Sequence, residues 1–129
     1  MSYFFAKTLP GGSFDDAITR VTQALQQEGF GILTEIDVRA TMKKKLDRDF
    51  RDYRILGACK PSMAWQALQA EERIGTMLPC NVIVQRREGG AIEVAAVDPV
   101  ASMQAVDNPA LAEVAGTVRD SLRRVIDAL

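Results

Sequence analysis

The chain has 129 residues and a mass of 14.1 kDa, the size of one domain with one principal core. It is 47% hydrophobic and 26% charged, a globular composition rather than a disordered or fibrous one. Sixteen basic residues against seventeen acidic ones leave a formal charge of -1, so the balance confers no general affinity for nucleic acid or anionic membrane. Histidine is absent, which excludes Ser/His/Asp and Cys/His nucleophile pairs, imidazole metal ligation and an imidazole pH switch.

The opening run Met1-Ser2-Tyr3-Phe4-Phe5-Ala6-Lys7 is too short and too soon charged for a signal-peptide core. No segment approaches the roughly 20 apolar residues of a membrane helix, so a soluble, cytoplasmic protein is expected. Two cysteines, Cys59 and Cys80, are too few for a secreted disulfide scaffold and are expected as free thiols.

In chain order, Met1 to Leu9 reads as a first strand, broken by Pro10-Gly11-Gly12. Ser13 is a helix N-cap, and Phe14, Ile18, Val21 and Leu25 form one helical stripe that Gly29 ends. Phe30 to Asp37 reads as a strand with Phe30, Ile32, Thr34 and Ile36 on one face. Val38 to Leu46 is a short helix with a basic outside, Asp47 to Asp52 a charged turn, and Tyr53 to Cys59 a third strand. Pro61 suits a first helical turn, and a helix over Ser62 to Glu71 precedes a loop punctuated by Gly75 and Pro79. Val82-Ile83-Val84 has the continuous apolar character of a strand at a sheet centre or covered on both faces. Gly89-Gly90 joins that strand to Ala91–Asp98 as a hairpin. Pro99 to Val106 reads as a helical turn, and Asn108-Pro109 starts the last helix. Its stripe is Leu111, Val114, Ala115, Val118, Leu122, Val125, Ile126 and Leu129. The expected fold is α+β: a single-domain two-layer sandwich of about five strands, with helices packed on the sheet.

Chemistry-bearing residues concentrate in the middle third. Cys59 and Cys80 each sit at a strand boundary with a proline close by. Cys59 also precedes a helix start, where peptide dipoles and Lys60 favour a lowered thiol pKa. Three readings apply: a redox pair, a soft-metal site recruiting Met63, Met77 or Met103, and small buried apolar thiols, the last being favoured. The spacing is neither CxxC nor a zinc-ribbon pattern, and no cofactor is expected. Glu35 and Asp37 share a strand face and Asp98 closes the fifth strand, but Asp37 and Asp98 each precede a helical segment and read first as caps. Val38 to Arg54 holds seven basic and three acidic residues, which the interleaving makes an ordinary solvated face rather than a nucleic-acid surface. Trp65, the sole tryptophan, is favoured as core, with a subunit contact as the alternative.

The segments Gly29-Phe30-Gly31-Ile32-Leu33-Thr34-Glu35-Ile36-Asp37-Val38, Ile55-Leu56-Gly57-Ala58-Cys59-Lys60-Pro61 and Leu78-Pro79-Cys80-Asn81-Val82-Ile83-Val84 resemble the family named domain of unknown function 302. Val97-Asp98-Pro99 and Met103 fit its later part, so the resemblance spans nearly the whole chain. It implies a compact α+β domain, commonly dimeric, with no catalytic residue to carry over. Lys60 departs from a pattern that usually has asparagine there, so no role needing an amide is transferred. Three functions follow as expectations. The first is a small-ligand-binding homodimer with a pocket around Asp37, Cys59, Pro61, Met77, Pro79, Cys80 and Asp98. The second is a thiol-redox or soft-metal protein using Cys59 and Cys80. The third is a protein or nucleic-acid interaction module through the basic 39–54 segment.

Overall fold

Side-chain caps set where the helices begin. In the computed structural model, which describes residues 2–129, the Ser13 hydroxyl accepts from the Asp16 amide at 3.2 Å and opens α1 (Phe14–Gln27). Asp37 does the same for α2 (Val38–Leu46) through the Ala40 amide at 3.0 Å. Asp98 caps the single turn α4 (Pro99–Ser102), and Asn108 caps α5 (Pro109–Asp127). Each such cap contributes on the order of 1 kcal/mol. The capping expected of Asp37 and Asp98 is thus realised. Asn108 also donates to the Ala70 carbonyl at 2.8 Å, which fastens the end of α3 (Pro61–Ala70) to the start of α5.

Five strands, β1 (Phe4–Leu9), β2 (Gly31–Asp37), β3 (Tyr53–Cys59), β4 (Cys80–Arg86) and β5 (Ile92–Val97), make one antiparallel sheet in the order β1-β5-β4-β3-β2. The β4–β5 hairpin turns through Gly89 and Gly90, both in the left-handed region. Met1, assigned to the first strand from the sequence, lies outside the described residues.

One sheet face is the core. Leu56 and Ala58 of β3, Val82 and Val84 of β4, and Val94 and Ala96 of β5 pack beneath Val21 and Leu25 of α1 and Leu122 and Val125 of α5. Each buried valine or leucine contributes on the order of 1.5–3 kcal/mol. A smaller cluster of Ala67, Ile74, Met103, Leu111 and Ala115 joins α3, the turn after it and α5. The architecture is the α+β single domain expected from the element order.

The opposite sheet face is more open. Its paired row runs Ile36, Ile55, Ile83, Ala95, Ala6 across all five strands; Ile36 is exposed, and Ile55 and Ile83 are half-buried. β4 therefore occupies the sheet centre, as its apolar run indicates, but only one of its faces is deeply covered.

Two expectations need correction. A bulge between Ile32 and Thr34 inserts Leu33 as an extra residue, so Ile32 pairs with Ala58 on the core face while Thr34 pairs with Gly57 on the other. One inserted residue inverts a period of two, and Ile32, Thr34 and Ile36 do not share a face. Trp65 is 67% exposed rather than core. On α3 the inward line is Met63, Ala67 and Ala70, and Trp65 lies off it.

Three of the seven basic residues of the 39–54 segment are in ion pairs. Arg39 pairs with Asp52 at 2.8 Å, Lys43 with Asp47 at 3.0 Å, and Arg54 with Glu35 at 2.7 Å. Arg51 lies over Phe50, 4.4 Å from the ring centre.

Candidate functional site

The sheet register puts the two cysteine motifs side by side. Ala58 pairs with Cys80 across β3 and β4, so Cys59 lies one residue beyond that pair. β3 ends at Cys59 and β4 begins at Cys80, and α3 departs immediately after Lys60. The chain thus turns away from the sheet at both strand ends and leaves a recess that the helices roof.

That recess is a cavity of about 310 Å³. Its floor is Ala58 and Cys59 with Pro79 and Cys80; its roof is Met63, Ala64, Ala67 and Leu68 of α3. Val114, Ala115 and Val118 of α5 form one wall, and Phe30, Leu33, Leu78, Pro99 and Met103 complete the lining. The volume falls at the lower end of the range of small-molecule pockets, about 300–1,000 Å³. Lys60 is the sole charged residue of the lining, and the walls are almost wholly apolar.

Glycine at position 57 permits this arrangement. A β carbon there would meet the Thr34 hydroxyl and lie 2.7 Å from Pro79 Cγ, so any larger residue must displace both. The Leu33 bulge serves the same corner, turning a side chain of edge strand β2 to the cavity.

Both cysteines are free thiols, Cys59 half-buried and Cys80 buried. Burial raises the Cys59 pKa above the ordinary thiol value. Burial, and secondarily the neighbouring Cys59, pushes Cys80 up to about 11. Desolvation disfavours the thiolate, so at neutral pH both cysteines are neutral S–H groups. This is the reverse of the lowering expected from the helix start and Lys60. The Lys60 ammonium is turned to the Ser121 hydroxyl at 2.9 Å, and desolvation prevails at Cys59.

The residues proposed from the sequence divide by location. Cys59, Pro79 and Cys80 line the cavity together, with Met63 and Met103 adding thioethers. Pro61 begins α3 and is exposed, and Met77 lies 37% exposed in the turn before β4; neither lines it. Asp37 pairs with Arg54 at the other end of β3, far along the strand from Cys59. Asp98 adjoins the cavity residue Pro99 but faces a separate groove, where Arg119 lies 3.5 Å away. The α5 wall and the α3 alanines went unrecognised as lining. Their signal was small residues on facing helices, Ala64, Ala67 and Ala115, which leave space where leucine would fill it.

An open antiparallel sheet with helices packed against it and an apolar recess at the β3–β4 end defines a single-domain α+β protein. The chain belongs to the family described as domain of unknown function DUF302, whose model matches residues 5–129. A crystal structure of an uncharacterised conserved DUF302 protein from Bacillus stearothermophilus is 26% identical, with a TM-score of 0.88 over 98% of each chain. No curated protein matches the sequence. Among the described residues, no helix is long and apolar enough to cross a membrane.

Proposed function

We propose that this domain binds a small, predominantly apolar molecule in the cavity at the ends of β3 and β4, and that it works as a homodimer. The cavity carries the binding reading: about 310 Å³ in an open recess between sheet and helices, with walls that offer dispersion contacts and little hydrogen bonding. Such walls select by size and shape. The neutral state of Cys59 and Cys80 fits this role better than thiolate chemistry, since a protonated thiol behaves as a small apolar group.

Self-association is supported by apolar side chains around the same place. Leu33 is 64% exposed, Leu68 42% and Trp65 67%, and the first two belong to the cavity lining. Exposed aromatic and aliphatic groups gathered beside a pocket are a feature of subunit contacts.

Calorimetric titration with 1-octanol, an uncharged aliphatic probe, tests the binding reading. Saturable binding at one site per chain is expected, with loss of binding in Ala64→Phe, whose ring would occupy the cavity. Titration without saturation, or undiminished binding by folded Ala64→Phe, would refute it.

A further inference from the structure

A groove of about 390 Å³ lies between the start of β1, the turn α4 and the middle of α5, and it shares no lining residue with the β3–β4 cavity. Arg119 and Arg123 line it from one face of α5, four residues apart. Both reach the same ring: their guanidinium carbons lie 5.9 and 4.7 Å from the centre of Phe5, another lining residue. Like charges at this spacing repel each other, and the face of Phe5 holds both in place. One acid of the lining opposes them. Asp98 Oδ1 is engaged by the Val100 amide at 3.0 Å, and its Oδ2 lies 3.5 Å from Arg119 Nε, longer than an ordinary N–H···O bond. Among the described residues, no ion pair includes Arg123. Two cations and one carboxylate leave the groove with an excess of one positive charge. Beside them lie the apolar groups of Phe4, Val100 and Ala101.

We infer that this groove is a separate ligand site for a small carboxylate monoanion with an apolar body. The carboxylate accepts from Arg123, whose planar fork matches its two oxygens and lacks a protein partner. The body lies against Phe4, Val100 and Ala101. A single negative charge cancels the excess, whereas a phosphate monoester, at about -1.5 to -2 near neutral pH, overshoots it. The site does not rest on the binding reading of the β3–β4 cavity.

Calorimetric titration at pH 7 and low salt with benzoate, and with benzamide as its uncharged counterpart, tests the site. The native chain is expected to bind one benzoate, about ten-fold more tightly than benzamide, the ratio one charge-assisted pair provides. Arg123→Gln is expected to abolish that preference while circular dichroism shows an unchanged fold, since Arg123 is exposed. Equal affinity for the two probes, or a preference that persists in Arg123→Gln, would overturn the inference. Benzoate binding that disappears in Ala64→Phe would also overturn it, because the probe would then occupy the other cavity. Inorganic phosphate bound as tightly as benzoate would overturn the assigned ligand class. Failure of 1-octanol to bind would count against the β3–β4 cavity alone.

Discussion

Gly57 and Pro79 meet across β3 and β4 so closely that a β carbon on Gly57 would lie 2.7 Å from Pro79 Cγ. Pro79 is part of the cavity floor, so the backbone of β3 fixes where that floor lies. Overpacking of this kind costs typically about 1–3 kcal/mol. Gly57→Ala is expected to lower the urea midpoint by a corresponding amount and to weaken 1-octanol binding. An unchanged midpoint would show that Thr34 and Pro79 move aside freely.

The buried thiols give stability a dependence on alkaline pH. An unfolded cysteine titrates near 9.0, whereas burial pushes Cys80 in the folded chain up to about 11. Between those values the folded state holds a proton that the unfolded state has lost. Stability from this group is therefore fully present below the unfolded value and falls as pH rises toward 11, by at most about 1.4 kcal/mol per pH unit. Denaturation curves from pH 8 to 11 should show the decline, and Cys80→Ala should flatten it. A parallel slope in the variant would assign the effect to other groups. Cys59 should alkylate before Cys80, since it is the more exposed of the two.

Acid acts at the other end of the sheet. Asp52 accepts from Arg39 at 2.8 Å and from Arg86 at 3.3 Å, and the Arg39 hydrogen bond is the largest cause of its lowered pKa. A depressed carboxylate contributes stability above its unfolded value, near 3.8, that is lost as pH falls through the folded one. Asp52→Asn is expected to remove part of the loss of stability below pH 4. Identical acid unfolding in both proteins would discount the ion pairs, as their partial exposure makes possible in concentrated salt.

Most elements were legible in the sequence because local signals mark them. Ser13, Asp37, Asp98 and Asn108 cap helices, Gly89-Gly90 makes a hairpin turn, and the α5 stripe is buried along its length. The meeting of Cys59 and Cys80 depends on register between strands separated by a helix and a loop, which local pattern cannot supply. The Leu33 bulge was hidden because alternation of Ile32, Thr34 and Ile36 looks regular until the pairing with β3 is known. Trp65 was misplaced because an isolated tryptophan favours burial, whereas α3 turns its alanines inward. Asp37 looked like a pocket rim because strand ends resemble each other in sequence. It lies at the opposite end of β3.

The exposed apolar side chains near the cavity make self-association testable. Sedimentation equilibrium is expected to give a dimer for the native chain and a monomer for Trp65→Asp. The substitution should leave the fold intact, because Trp65 is 67% exposed and belongs to neither buried cluster. A native monomer at the concentrations used would refute the dimer.

Methionine methyl resonances report directly on occupancy of the cavity. Met63 and Met103 line it, whereas Met42 and Met77 do not. In a chain carrying ¹³C-methyl methionine, titration with 1-octanol should shift the Met63 and Met103 methyl signals along one saturating curve and leave Met42 and Met77 in place. Stationary Met63 and Met103 signals, or equal drift of all four, would mean that no molecule enters the recess beside Cys59 and Cys80.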